Sequence, residues 1–297
     1  MDTLAVHLLN ALLYASVMFL IAGGLSLIYG VMRIVNLAHG NLYAFGAYVS
    51  AWAVGRVLGG AQDASLWLYA LLPVGAVAAA ALGAVLEPTL LRPLYRRAEE
   101  YQLLITFGLA MALENGLLAV FGPDHRSVQA TYANQTVTVL GVHLTVAGVI
   151  AIAGSVVIVG LLFLFVNRTR IGTAIRAVAQ QPDSAELAGI DVRRVFGIAF
   201  ALGTGLAGAA ACFMAPIYPI QPGAGDTFGV MAFIIVILGG LGSVFGASAA
   251  ALLIGVVQSV FATMISVQMA TAFVFAAFIV AMIVRPNGIF GRVSRVA

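Results

Sequence analysis

The chain has no lysine: all 14 of its basic residues are arginine. No Walker-A lysine is therefore available to hold the phosphates of ATP, and no side-chain amine is available for a Schiff base. Cysteine is nearly absent as well. The lone Cys212 sits in an apolar run, which excludes disulfides and thiolate metal clusters. The four histidines fall at no metal-ligand spacing, and the chain has no His-Glu-x-x-His, no Gly-x-Ser-x-Gly and no paired aspartates in facing apolar runs. The sequence thus designates no catalytic residue and no metal site. Charge as a whole is scarce: charged residues make up 8% of the 297 and hydrophobic ones 62%, where a soluble chain carries about 25% charge. So few ionisable groups cannot cover the exterior of a water-soluble fold. The bilayer is the solvent for most of this chain, and its net charge of +3 reads as an orientation signal rather than as affinity for nucleic acid.

What the chain does have is long apolar runs. Segments near 4–31, 41–57, 66–91, 101–121, 144–166, 194–215, 243–265 and 267–284 are candidate crossings, and 227–238 is too short to cross unaided. The expected fold is all-α and integral to the membrane: a polytopic helical bundle of about 8–9 spans that includes broken or half helices. Met1 to Thr3 carry Asp2 and no basic n-region, so the first run is expected to remain as a helix. With the N-terminus outside, Arg33, Arg92, Arg96, Arg97, Arg168, Arg170, Arg176, Arg193, Arg194, Arg285, Arg292 and Arg295 all lie inside, leaving Arg56 and Arg126 outside. The positive-inside rule selects that orientation and places the C-terminus inside. The last three arginines fall inside only if the short run at 227–238 changes sides. The polar segment 122–143 then faces outward, and its alternation from Thr136 to Leu144 predicts a short strand or hairpin. Asn134-Gln135-Thr136 within it matches a glycosylation sequon, a short and common pattern. The segment 167–194 faces inward.

Two stretches interrupt the apolar pattern. The first runs from Gly30 to Asn41 and contains Arg33, Asn36, His39 and Gly40; the second runs from Leu238 to Gly246 and contains Gly239, Gly240 and Gly242. Non-helical backbone survives at membrane depth only against protein or a water-filled cavity. Paired breaks of this kind point to a transport pathway built from an inverted internal repeat, with Asn36, His39 and Asn41 lining it. The alternative is a pair of ordinary turns at the inner face. Phe-Gly-Ala follows both breaks, at Phe45–Ala47 and Phe245–Ala247, and is too short to prove duplication.

Gly203-Thr204-Gly205-Leu206-Ala207-Gly208 matches G-x-G-x-x-G, but it lies in mid-span with no preceding strand and no nearby acid. Small residues at this density are expected to serve close helix packing instead. Glu114, a carboxylate inside the 101–121 run, is either a proton relay or cavity-lining group, or a neutral or hydrogen-bonded residue that fixes packing. Glu87 approaches the arginine-rich rim and is expected to pair with Arg92. In the inner segment, Pro182 precedes Asp183, Ser184, Ala185, Glu186, Leu187, Ala188, Gly189 and Ile190. Asp183 and Glu186 resemble a capping box, and Gly189 with Ile190 suits a left-handed helix stop. A helix this short is marginal in water, so it is either docked on something or only a nick of helix in a solvated loop.

Four stretches resemble the permeases of branched-chain amino-acid ABC importers: Gly24 to Gly40, Ile171 to Gln180 running into Ala188-Gly189-Ile190, Ile237 to Ser243, and Arg285 to Gly291. The resemblance extends over nearly the whole chain and implies one transmembrane permease domain over 1–297, with a periplasmic loop at 122–143 and a cytoplasmic loop at 167–194. It implies a bacterial inner-membrane subunit that pairs with a homologous second permease, two ATP-binding subunits and a periplasmic binding protein. ATP and Mg would be held by the partner subunits and no cofactor by this chain, and residues 183–190 would be the coupling helix that docks on an ATPase. The substrate would be a branched-chain or related amino acid. A urea or small-amide permease of the same family and a proton-coupled carrier are the competing readings.

Overall fold

A computed structural model describes residues 2–58, 71, 73–95, 97–128, 135–139, 142–286 and 288–289. Arg96, Arg292, Arg295, Asn134, most of the stretch 66–72 and part of the terminal motif at 285–291 lie outside the described residues. Eleven α-helices are present among those described: α1 (Asp2–Met32), α2 (His39–Leu58), α3 (Pro73–Leu86), α4 (Glu99–Phe121), α5 (Val146–Arg168), α6 (Arg170–Gln180), α7 (Pro182–Leu187), α8 (Val192–Met214), α9 (Ala224–Gly239), α10 (Val244–Met264) and α11 (Val267–Val284). A hairpin of β1 (Thr136–Val139) and β2 (Val142–Thr145) pairs Thr136 with Thr145 and Val139 with Val142, as the alternation predicted. The antiparallel bridge between Arg126 and Ile220 ties the segment after α4 to the segment before α9.

Among the described residues, six helical stretches are long and apolar enough to cross a membrane: Val6–Met32, Pro73–Leu94, Glu99–Phe121, Val146–Arg168, Val192–Met214 and Val244–Met264. The polar residues of α2 and the shortness of α9 and α11 keep these three out of that set. Burial sorts the bundle into a core and a shell. The span of α1 is 78% buried and that of α8 67%, against 17% for α4 and α5, whose apolar faces point outward. Helix α1 is therefore the central shaft, packed by α8, α9 and α10.

Small residues make that core possible, because helices in lipid associate by close packing rather than by the hydrophobic effect. The mid-span glycines of α8 are an instance: a β-carbon on Gly208 would lie 2.7 Å from Ala79 Cβ on α3, one on Gly205 3.1 Å from Ala80 Cβ, and one on Gly203 2.6 Å from Ile28 on α1. The G-x-G-x-x-G pattern is thus a packing surface. Cys212 is buried among these residues.

Candidate functional site

The first break spans residues 33–38. Arg33 adopts a left-handed conformation with φ +54° and still donates its N–H to Tyr29 O at 2.8 Å. Asn36 then turns the chain locally: its Oδ1 accepts from Ala38 N at 3.1 Å and its carbonyl from His39 N at 3.2 Å, a side-chain turn that asparagine favours. His39 opens α2, and its Nε2 lies 3.0 Å from Ile21 O, halfway back along α1. Since a carbonyl only accepts, Nε2 carries the hydrogen. Asn41 Nδ2 donates to Asp226 Oδ1 at 3.2 Å, joining the first turns of α2 and α9. Gly40 is not itself a break. It lies in the first turn of α2, packed on the Gly225 carbonyl and on Gly229 Cα, so its lack of a side chain serves contact between two helices 185 residues apart in sequence.

Polar atoms without partners concentrate along this face. Ser26 Oγ, Asn36 Nδ2, His39 Nδ1, Asn41 Oδ1 and Tyr48 Oη are all buried with no hydrogen-bond partner among the described residues. Buried polar groups ordinarily find a partner in protein or water. Glu114 of α4 is half-buried, with Oε1 3.6 Å from where a β-carbon on Gly223 would lie, just before α9, and it makes no ion pair among the described residues.

The second break follows Gly239, the last residue of α9, and uses Gly240 and Gly242 at φ +96° and +81°. Ser243 caps α10 through Oγ, which accepts Gly246 N–H at 3.0 Å. The last turn of α1, just before the first break, packs on the second: a β-carbon on Gly30 would lie 3.1 Å from Gly242 O. An apolar cavity of about 100 Å³ lies beside them, lined by Leu25, Tyr29, Val35, Phe233, Val236, Ile237 and Leu241.

The segment 167–194 is mostly helical rather than a loop. Helix α6 buries Gly172, Ile175 and Val178 on one face, and Arg176 Nη1 donates to Val166 O on α5. The capping box expected at Asp183 does not form. Pro182, which has no N–H to satisfy, occupies the first helical position of α7, so Gln181 is the N-cap and Asp183 makes no side-chain cap. The C-terminal end is as expected. Gly189 has φ +84°, Ile190 N donates to Ala185 O at 3.0 Å and Gly189 N to Glu186 O at 2.9 Å, which is a Schellman motif. Ala185 is buried, while Asp183, Ser184, Glu186, Leu187, Ala188 and Gly189 are exposed, Leu187 to 91%. Asp191 then caps α8 by accepting Arg194 N–H at 3.1 Å.

Glu87 pairs with Arg92 at 2.8 Å, as its position in sequence suggested. Tyr95, which the sequence did not single out, donates its hydroxyl to the same carboxylate, and burial together with that bond pushes its phenol well above its ordinary range. Pro88 and Pro93 were the available sequence signal, since the chain turns π-helical over Glu87–Leu91 and 3₁₀ over Arg92–Leu94. Asp226 also escaped sequence reasoning.

A bundle of apolar spans around two helix breaks is a polytopic helical membrane protein. The chain belongs to the family described as "Branched-chain amino acid transport system / permease component", which matches residues 7–283. It is 28% identical over 292 residues to the high-affinity branched-chain amino acid transport system permease protein BraD of Pseudomonas aeruginosa, covering 96% of this chain and 95% of that one. It is 29% identical to LivH of Salmonella typhimurium, with the same coverage, and 28% identical to the probable permease LivH of Methanocaldococcus jannaschii, covering 93% and 86%. These relatives are transport subunits, and this chain is a transport permease rather than an enzyme. Its fold is similar to that of a chain in PsaBC from Streptococcus pneumoniae in complex with Fab, with TM-score 0.51 at 16% identity over 95% and 92% of the two chains.

Proposed function

We propose that the chain is the permease subunit of an ATP-binding-cassette importer in a bacterial inner membrane, carrying branched-chain or related amino acids handed over by a periplasmic binding protein. The observation that carries this reading is α7. It is a six-residue helix locked by a Schellman turn, and it holds the large apolar side chain of Leu187 out in the open beside two carboxylates. Such a helix is too short to stand alone, and its form suits docking in a cleft of another subunit. Without lysine, the chain has no Walker-A site of its own. ATP and Mg then belong to two partner ATPases, and a homologous second permease completes the pore. The arginine distribution supports an N-terminus outside and a C-terminus inside, with α2, α9 and α11 completing a set of about 8–9 spans and half-spans.

In this reading α1–α2 and α9–α10 are the corresponding parts of an inverted repeat, and the unpartnered polar atoms of Asn36, His39 and Asn41 line the path between them. Closure of the ATPases moves α7, and the attached spans alternate access to that path. The test is co-purification and uptake. Leu187→Asp is expected to insert normally yet release the ATPases and abolish ATP-driven uptake. Retention of both in that variant overturns the docking assignment.

A further inference from the structure

A relay of contacts leads from α8, the helix that follows α7, to the first helix break. Helix α8 begins two residues after Ile190, and its Phe196 meets the ring of Tyr95 edge-on at 5.0 Å between centroids. The next residue, Gly197, faces Glu87: a β-carbon there would lie 3.2 Å from Glu87 Oε2. Glu87 is 1% exposed and holds the π-helical turn closed through Arg92 and Tyr95. The same kink is gripped from α4 by Gln102, 8% exposed, whose Nε2 donates to Leu94 O and to Arg97 O, each at 3.2 Å. One turn further along α4, the Thr106 hydroxyl donates to Gln102 O at 2.9 Å and its Oγ1 sits against Val35 O, 3.4 Å away, inside the first break. Glu87, Gln102 and Thr106 are buried, Tyr95 and Phe196 partly so, and Arg92 reaches out to the surface; the links cross from α8 to the kink, to α4 and to residue 35.

We propose that Glu87 and Gln102 are positioning residues that transmit displacement of α7 to the backbone at Val35, so that ATP-driven movement of the coupling helix reshapes the first break. The physical grounds are specific. An ion pair whose carboxylate is buried is a weak source of stability that well-packed apolar residues usually match, and π-helical turns recur at functional positions. The kink is also the place where α3, α4 and α8 share hydrogen bonds or ring contacts. The proposal rests on the importer reading given above, because α7 must receive the motion first.

The test uses the full assembly, with its second permease, ATPases and binding protein, reconstituted into vesicles, and reads leucine uptake and ATP hydrolysis together. Two variants carry it. Glu87→Met with Arg92→Met and Tyr95→Phe removes the pair together with the hydroxyl that bonds it, stranding neither a charge nor a donor, so thermal stability is retained; Gln102→Leu keeps the volume and removes both hydrogen bonds to the kink. Each variant is expected to assemble and hydrolyse ATP as the wild type does while uptake per ATP falls by about tenfold, the size of an ordinary coupling energy. Combining the two is expected to cost no more than either alone, since both cut one relay. Unchanged uptake per ATP overturns the proposal. So does a joint loss of assembly, hydrolysis and uptake, which marks the residues as scaffold only. If the wild-type assembly shows no ATP-driven uptake, it is the importer reading that fails.

Discussion

Gly229 of α9 places its Cα 2.5 Å from the point where a β-carbon on Gly40 of α2 would lie. The two helix starts are held backbone to backbone, and the hydrogen bond from Asn41 to Asp226 closes the same contact. Gly40→Ala forces these backbones apart, and overpacking of this kind costs about 1–3 kcal/mol. The expected result is a lower melting temperature for the purified protein. Gly116→Ala, at a helical site with nothing within 4 Å, is the control; it is expected to be neutral or to stabilise by about 0.5–1 kcal/mol, as Ala replacing Gly in a helix does.

Gly189 tests the turn behind α7. Its φ of +84° with open space around it means that a side chain is penalised by conformation alone, by about 1–2 kcal/mol for alanine. Gly189→Ala is expected to insert and lose ATP-dependent uptake, and Gly189→Asn to retain more of it, because asparagine tolerates the left-handed region. Vesicle uptake of the two variants, normalised to inserted protein, checks this order.

Leu187 and Glu186 separate docking from folding. Leu187 is 91% exposed, and Glu186 beside it is exposed too, so their replacement changes stability by no more than about 0.5 kcal/mol. Leu187→Asp and Glu186→Arg are expected to melt as the wild type does and to fail to retain the ATPases on an affinity column. A drop in melting temperature that accounts for the lost partners contradicts the assignment.

Sidedness has its own check. A cysteine at Asp124 is expected to react with an impermeant thiol reagent in intact cells, and one at Ser184 only after lysis. The native Cys212 is buried and supplies little background.

How legible these features were in sequence follows from how local each one is. The spans, the hairpin at Thr136–Thr145 and the stop at Gly189 depend on neighbours a few residues away, and apolar run length, alternation and a glycine before Ile190 reveal them. The start of α7 went astray by one residue because Pro182 and Asp183 are both good helix openers, and proline, lacking the N–H, took the first position. Gly40 could not be told from a break, since its partners Gly225 and Gly229 lie far along the chain. The π-helical turn at Glu87 was hidden for the same reason: Tyr95, Gly197 and the grip of Gln102 are tertiary facts. Asn36 and Asn41 stood out because amides are rare in apolar runs, while their burial and missing partners emerge only from packing.

Glu114 bears on the competing proton-coupled mechanism. It makes no ion pair among the described residues and lies beside Gly223, so no basic partner at ion-pair distance completes a relay there. Glu114→Gln is therefore expected to leave uptake within about twofold of wild type, the range of a substitution outside the working machinery. Initial rates with labelled leucine measure this.

The most direct measurement is leucine uptake into vesicles that hold this chain with its second permease and ATPases, supplied with loaded binding protein, in the presence and absence of ATP and of an uncoupler. The account predicts uptake that requires ATP, persists with the uncoupler and vanishes in Leu187→Asp. Uptake that continues without ATP and collapses with the uncoupler would contradict it.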